Sequence, residues 1–205
     1  MKHVLILAHP DPHSFNRSVA DVYRETAESA GSTVLLRDLY ALGFDPLLKN
    51  TEIPRPDGFS PGADVVAERR LIADADVFVL IYPLWFYMPP AILVGYLDRV
   101  MGMGFGYGAI RSGGNEPLLT GKSLVSITSS GAPTDWVQKE GALQALKTLV
   151  DQHFAAVCGL TLLDHIHIGP IFPGSSRVAI ERELRALRTR VSNLNGIKAA
   201  QGQLG

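Results

Sequence analysis

The chain has a single cysteine, Cys158, among 205 residues. That excludes an intramolecular disulfide and a cysteine-rich metal site. The apolar run around it, residues 155–163, reads as the setting of an inert core thiol. Charge of one sign is missing too: 19 basic and 20 acidic residues leave a formal net charge of −1. There is no electrostatic footprint for nucleic acid or an acidic membrane surface. No apolar stretch reaches the roughly 18 residues of a membrane helix. Lys2-His3 leads into only a short apolar run, which is not the layout of a secretory leader. The expectation is a soluble, cytoplasmic protein. The phosphate-cradling patterns G-x-G-x-x-G and G-x-x-x-x-G-K-[ST] are absent, so neither a dinucleotide-binding Rossmann turn nor a P-loop is indicated. A serine hydrolase is set aside for want of a nucleophile elbow.

What is present is enough apolar content for a sizeable core, 46% of residues, in a regular alternation. Apolar runs at 3–8, 33–37, 77–81, 123–128 and 160–166 predict five strands. Helices are predicted at 15–30 with Gly31 as its stop, at 63–73, at 90–101 with proline in the first turn, at 140–150 and at 178–194. Prolines and glycines predict a long excursion over 41–63 and a glycine-rich loop over 102–121. Strands that are apolar throughout and alternate with helices predict a parallel sheet covered on both faces. Right-handed crossovers leave few topologies. The expected fold class is α/β: a doubly wound five-stranded parallel sheet in the flavodoxin-like order 2-1-3-4-5, as a single domain over residues 1–205.

In such a sheet the loops after strands 1, 3 and 4 converge on one edge, where ligands bind. The first, His9 to Asn16, ends in Ser14-Phe15-Asn16 at a helix start. Its side chains and free backbone N–H groups suit a phosphate, although Ser14 also reads as a plain N-cap. His9 is within reach of the same phosphate. His9 and His13 lie four apart across two prolines, which is not a helical zinc motif, and no metal is expected. The second loop carries Pro83-Leu84-Trp85-Phe86-Tyr87. Three consecutive aromatics in a turn cannot all enter a core. A flat ring such as an isoalloxazine would explain them; a core patch or a dimer contact is the alternative. The third loop, Thr128-Ser129-Ser130-Gly131, offers small donors and close backbone approach, and by itself is a common polar turn.

Taken together these segments resemble the NAD(P)H:quinone oxidoreductase family with a flavodoxin-like fold, which includes the potassium-efflux ancillary reductases. The likeness runs from His3 to about Arg190. It is carried by His9 with Ser14-Phe15-Asn16, by Asp38-Leu39-Tyr40, by Pro83-Leu84-Trp85-Phe86 through Pro90-Ala91-Ile92-Leu93 to Asp98-Arg99-Val100, and by Gly104-Phe105-Gly106-Tyr107 and Ser126-Ile127-Thr128. The resemblance implies a homodimer with one flavin per subunit. It implies that His9, Ser14, Phe15 and Asn16 hold the phosphate and ribityl chain, that Pro83 to Tyr87 lie along the ring, and that Thr128, Ser129, Ser130 and Gly131 face its pyrimidine side. Tyr107 matches a tyrosine that reaches the substrate pocket from the partner subunit. Arg177 matches an arginine near the adenosine half in members that bind FAD, and also reads as a solvated helix-start residue. FAD is expected, with FMN as the alternative. Mammalian members place a tyrosine and a histidine after the third loop to relay charge; ungapped alignment puts Trp136 and Ala142 there, and neither donates in that way.

The implied activity is ping-pong hydride transfer from NAD(P)H through the flavin to a quinone-type acceptor. The rival readings are a flavin-binding regulatory subunit of a transporter and an electron carrier. A carrier is ordinarily acidic so as to dock basic partners, which a charge of −1 disfavours.

Overall fold

The computed structural model describes residues 1–55, 58–108 and 116–202, with side chains placed up to residue 194. Five strands, β1 (Lys2–Leu7), β2 (Thr33–Asp38), β3 (Val77–Pro83), β4 (Ser123–Ser129) and β5 (Thr161–Ile168), form one parallel sheet in the order 2-1-3-4-5. The expected topology is the observed one. Every residue of β3 and β4 is buried, and all but the first of β1. Helices cover both faces of these central strands, which is why their sequence is apolar without alternation.

Helix α1 (Phe15–Ser29) begins where Ser14 Oγ accepts the Arg17 N–H at 3.2 Å and stops just before Gly31, whose φ is +82°. Its inward stripe, Val19, Ala20, Tyr23 and Ala27, packs with Leu187, Val191 and Leu194 of α7 (Arg177–Gly202) on one face of the sheet. The other face holds α2 (Ala63–Ile72), α3 (Ala91–Arg99) and a helical run after β4. That run departs from expectation. It begins as α4 (Thr134–Lys139), breaks at Gly141 with φ +76°, and resumes as α5 (Ala142–Leu146). A π-helical segment, Lys147–His153, and α6 (Phe154–Cys158) come next. A helix predicted to end at 150 therefore continues to Cys158, because the apolar residues after it, Ala155 and Cys158, pack into the core as helix. Gly159, at φ +76°, ends it.

The 41–63 excursion is pinned rather than loose. Arg99, at the end of α3 and 3% exposed, clamps Glu52 with two hydrogen bonds of 2.8 Å and reaches Asp64 at 2.8 Å. Gly95 lets the excursion lie against α3: a Cβ there would fall 2.2 Å from the Pro46 carbonyl oxygen. The string Gly58 to Gly62 spells G-x-S-x-G, but it lies in this excursion and no strand among the described residues leads into it, so Ser60 does not sit on a strand-to-helix nucleophile elbow. Residues 56–57, and residues 109–115 of the glycine-rich loop, lie outside the described residues.

Arg99's hydrogen bonds hold the Glu52 carboxyl down at about 2, against an ordinary 4.5. A carboxylate depressed in the folded state stabilises above its unfolded pKa, and that contribution is lost as pH falls from about 4.5 toward 2. Arg99→Ala, which strands a buried carboxylate, is expected to cost about 3–5 kcal/mol in urea unfolding at pH 7. Glu52→Gln should show a shallower loss of stability between pH 5 and 3 than the parent protein.

Candidate functional site

The carboxyl ends of β1, β3 and β4 open into one cleft of about 570 Å³. His9, Ser14, Phe15, Asn16, Pro83, Leu84, Trp85, Ser129, Ser130 and Gly131 all line it. Three loops far apart in sequence are thus brought together by the strand order alone. At one end is the N-terminus of α1, whose first N–H groups have no intrahelical acceptor and favour an anion. His9 stands beside it. Its Nδ1 accepts the Asp11 N–H at 3.0 Å, which leaves Nε2 to carry the proton and to donate. Asn16, 3% exposed, ties the first loop to the third by donating to Ser129 Oγ at 3.0 Å. The second and third loops are tied by the Leu84 N–H, which donates to the Ser129 carbonyl at 2.7 Å.

The aromatic turn is built under strain. Trp85 and Met88 exchange backbone hydrogen bonds of 3.1 and 2.9 Å. The two residues between them, Phe86 and Tyr87, sit at φ +51° and +58°. Two left-handed residues joining a tight pair is the geometry that ordinarily calls for Asn-Gly. Strain of this kind collects at functional sites. Trp85 lines the cleft with its ring 6.0 Å from that of His9. Phe86 points away and is fully exposed, and Tyr87 turns toward the core and packs on Trp136, rings 5.9 Å apart. Neither lines the cleft.

Other expected residues are also set apart. Thr128 is 1% exposed and lies behind the cleft. Arg177 is an exposed residue paired with Glu181 at 2.8 Å, one helical turn before Ile180, which does line the cleft. Tyr107 borders a different cavity of about 350 Å³ with Leu97, Met101 and Cys158. Burial raises the Cys158 thiol to about 11. Trp136 and Ala142 do not line the cleft.

The structure adds two features that residue order did not announce. Ile171, Phe172 and Pro173, after β5, supply a further apolar wall. Behind the cleft, on the face of the sheet covered by the π segment, runs a buried polar chain. Asp151, fully buried, accepts from Ser126 Oγ at 2.6 Å and meets His165 Nδ1 at 2.5 Å. Thr128 Oγ1 lies 2.9 Å from His165 Nε2 and 2.9 Å from His167 Nδ1. His167 Nε2 is 3.2 Å from Ser130 Oγ, at the cleft. Burial first, and then the charges of His165 and Lys147, lower His167 to about 4, so it is neutral at pH 7. Two histidines alternating with isoleucines, His165-Ile166-His167-Ile168, opposite Ser126-x-Thr128 were the legible signal.

Fold and cleft define a flavodoxin-like α/β protein with an open cleft at the carboxyl edge of its sheet. Residues 1–191 match the Flavodoxin_2 family, described as having a flavodoxin-like fold, and the chain belongs to that family. It is 32% identical over 172 residues to an uncharacterized NAD(P)H oxidoreductase of Haemophilus influenzae, covering 83% of this chain and 85% of that one. It is 34% identical over 151 residues to the mouse (Mus musculus) ribosyldihydronicotinamide dehydrogenase [quinone], spanning 63% of this chain but only 64% of that enzyme. The solved NAD(P)H:quinone oxidoreductase from Methanothermobacter marburgensis superposes with a TM-score of 0.83 at 27% identity, over 95% of this chain and 96% of that one.

Phe86 has no packing to lose, so Phe86→Asn tests the strain directly. Asparagine tolerates the left-handed region, and the variant is expected to gain about 0.5–1 kcal/mol in urea unfolding. A loss would show the turn to be unstrained.

Proposed function

We propose that residues 1–205 form one flavin-binding domain of an NAD(P)H oxidoreductase acting on quinone-type acceptors. The observation that carries the reading is the cleft itself: an anion-favouring helix end, an aromatic wall at Trp85 and an open floor at Gly131. Among the described residues, a Cβ at Gly131 would meet nothing closer than the Ile171 carbonyl oxygen at 3.8 Å. That glycine leaves space for something other than the protein's own packing. The residues present fit a flavin. Ser14, Phe15, Asn16 and His9 would hold its phosphate and ribityl chain, Pro83, Leu84 and Trp85 would lie along the ring, and Ser129, Ser130 and Gly131 would face the pyrimidine side. Bound there, a flavin would supply hydride acceptance and donation, and reduction would add negative charge at its pyrimidine edge.

The chain's own part is orientation and electrostatics. Donors held at Ser130 and along the third loop's backbone would stabilise that charge without reorganising. Trp85 and Phe172 would keep water from the ring. NAD(P)H and the acceptor would use the same open face in turn, a ping-pong order. FAD is the favoured form, with Arg177 placed one turn from the cleft to reach an adenosine half. Tyr107 stands away from the cleft of its own subunit, which supports a homodimer in which it serves the neighbouring one. The relatedness to NAD(P)H oxidoreductases and the near-zero net charge favour this reading over an electron carrier.

Purified protein is expected to be yellow, to release a chromophore with the mass of FAD rather than FMN, and to bleach with NAD(P)H under anaerobic conditions until a soluble quinone restores the colour. Colourless protein that takes up no flavin would end the proposal. Gly131→Val should weaken flavin binding by about 10- to 100-fold, the equivalent of a 1–3 kcal/mol clash. Its unfolding free energy should stay within about 0.5 kcal/mol of the parent.

A further inference from the structure

We propose that Asp151, His165, Thr128, His167 and Ser130 form a proton wire that stores one proton in the buried Asp151–His165 pair and delivers it to the cleft at Ser130. The use assigned to that proton rests on the proposed quinone reduction, which consumes one proton with each hydride. The wire itself rests on hydrogen-bond arithmetic.

Each link of the chain is within hydrogen-bond distance: 2.5, 2.9, 2.9 and 3.2 Å from Asp151 to Ser130. A hydroxyl has one hydrogen and a neutral imidazole has one. With Asp151 ionised, His165 Nδ1–H must donate to it. If His165 is neutral, its Nε2 accepts from Thr128. Thr128 then accepts from His167 Nδ1–H, and His167 Nε2 accepts from Ser130, so every donor points inward. If His165 is an imidazolium, its Nε2–H donates to Thr128, Thr128 donates to His167 Nδ1, and His167 Nε2–H donates to Ser130. Every donor then points outward, and the Ser130 hydroxyl is free for the Ala132 carbonyl oxygen at 3.0 Å or for a ligand in the cleft. One proton separates two fully satisfied states.

Delivery starts from the outward state. His165 Nε2 gives its proton to Thr128 Oγ1, and Thr128 gives its own to His167 Nδ1. His167 Nε2–H passes to Ser130 Oγ, and Ser130 gives its hydrogen to the oxygen of a two-electron-reduced quinone. Thr128, His167 and Ser130 each gain one N–H or O–H bond and lose one. His165 is left neutral, one proton leaves, and no electron moves along the chain. Solvent protons entering at Ser130 reload the pair by the reverse steps.

Two irregularities build the wire. Leu124 pairs with Leu162 but Val125 with Asp164, so β5 carries a bulge that skips Leu163. The slip turns His165 and His167 to the face of Ser126 and Thr128. The π segment carries Asp151, and its wider turn rotates the residues downstream by about 100° relative to a regular helix. Among the described residues, two further titratable groups act on the chain: Lys147 on the π segment, whose charge acts on His167, and Tyr82 on β3, whose phenol is buried without a hydrogen-bond partner and feels the charge of Asp151. Burial holds Tyr82 well above its ordinary value, so it stays neutral and does not compete for the proton.

The test uses ¹⁵N-imidazole NMR of the flavin-free protein across pH 5–9. His167 is expected to carry its hydrogen on Nε2 wherever the His165 ring carries two, and on Nδ1 wherever it carries one. Thr128→Val should uncouple the two rings, and Thr128→Ser should restore the coupling. A single His167 tautomer throughout, or coupling that survives in Thr128→Val, would overturn the wire whether or not flavin binds. In the flavin-loaded protein, Thr128→Val should slow reoxidation by quinone at least tenfold and leave reduction by NAD(P)H within about twofold, with Thr128→Ser near the parent in both. Equal loss in both half-reactions would overturn delivery. Protein that takes up no flavin would sink the proposed function and leave the tautomer result to decide the wire.

Discussion

The slip of one residue between β4 and β5 is the constraint on which the rest depends. Side chains alternate across a strand, so register decides which face each one occupies. Were Leu163 paired in the ladder instead of skipped, His165 and His167 would face α1 and α7 among Tyr23, Leu187 and Val191. With the skip, Asp164 joins Leu163 on that side and meets Arg190 of α7, and the two histidines turn to Thr128 and Asp151. Two imidazoles, three hydroxyls and a carboxylate then satisfy one another behind the cleft. A buried polar chain of this kind is tolerable only if every member has a partner. This one ends at the cleft rather than closing on itself in the core.

The same economy of placement holds the cleft open. Its walls are loop residues, yet each loop is fastened to its neighbour: Asn16 to Ser129, Leu84 to Ser129, and the Ser130 N–H to the Ile168 carbonyl at 3.1 Å. The stiffness needed to present His9, Trp85 and Gly131 at fixed separations thus comes from strand ends and short cross-links. The strained turn at Phe86 and Tyr87 is the exception, and it keeps Trp85 at the cleft by sending its two neighbours elsewhere. On the far side of α3 the buried Arg99 draws Glu52 and Asp64 together and turns a proline-rich excursion into part of the packed structure.

Much of this was legible in residue order. The five apolar runs, the stop at Gly31 and the crossover rule led to the sheet order, and the Ser14, Trp85 and Gly131 loops converge as the strand order requires. Legibility ended where a residue's role depends on a neighbour distant in sequence. Phe86 and Tyr87 share a string with Trp85 but not its direction, because their backbone angles are left-handed. Thr128 belongs to the third loop by number and to the buried chain by contact. Asp151 falls one residue past the helix predicted at 140–150, and nothing local announces a π segment.

The sequence by itself determined the class of fold and the three loops that meet at one edge, because hydrophobic period and helix-end residues act over a few neighbours and are written locally. Only the tertiary structure decided which side chains of those loops reach the cleft and which polar groups stand behind it. Those depend on a bulge, a widened helical turn and two positive φ angles. Each shifts side-chain direction by a discrete step, and each is stabilised by partners more than ten residues away or on another strand.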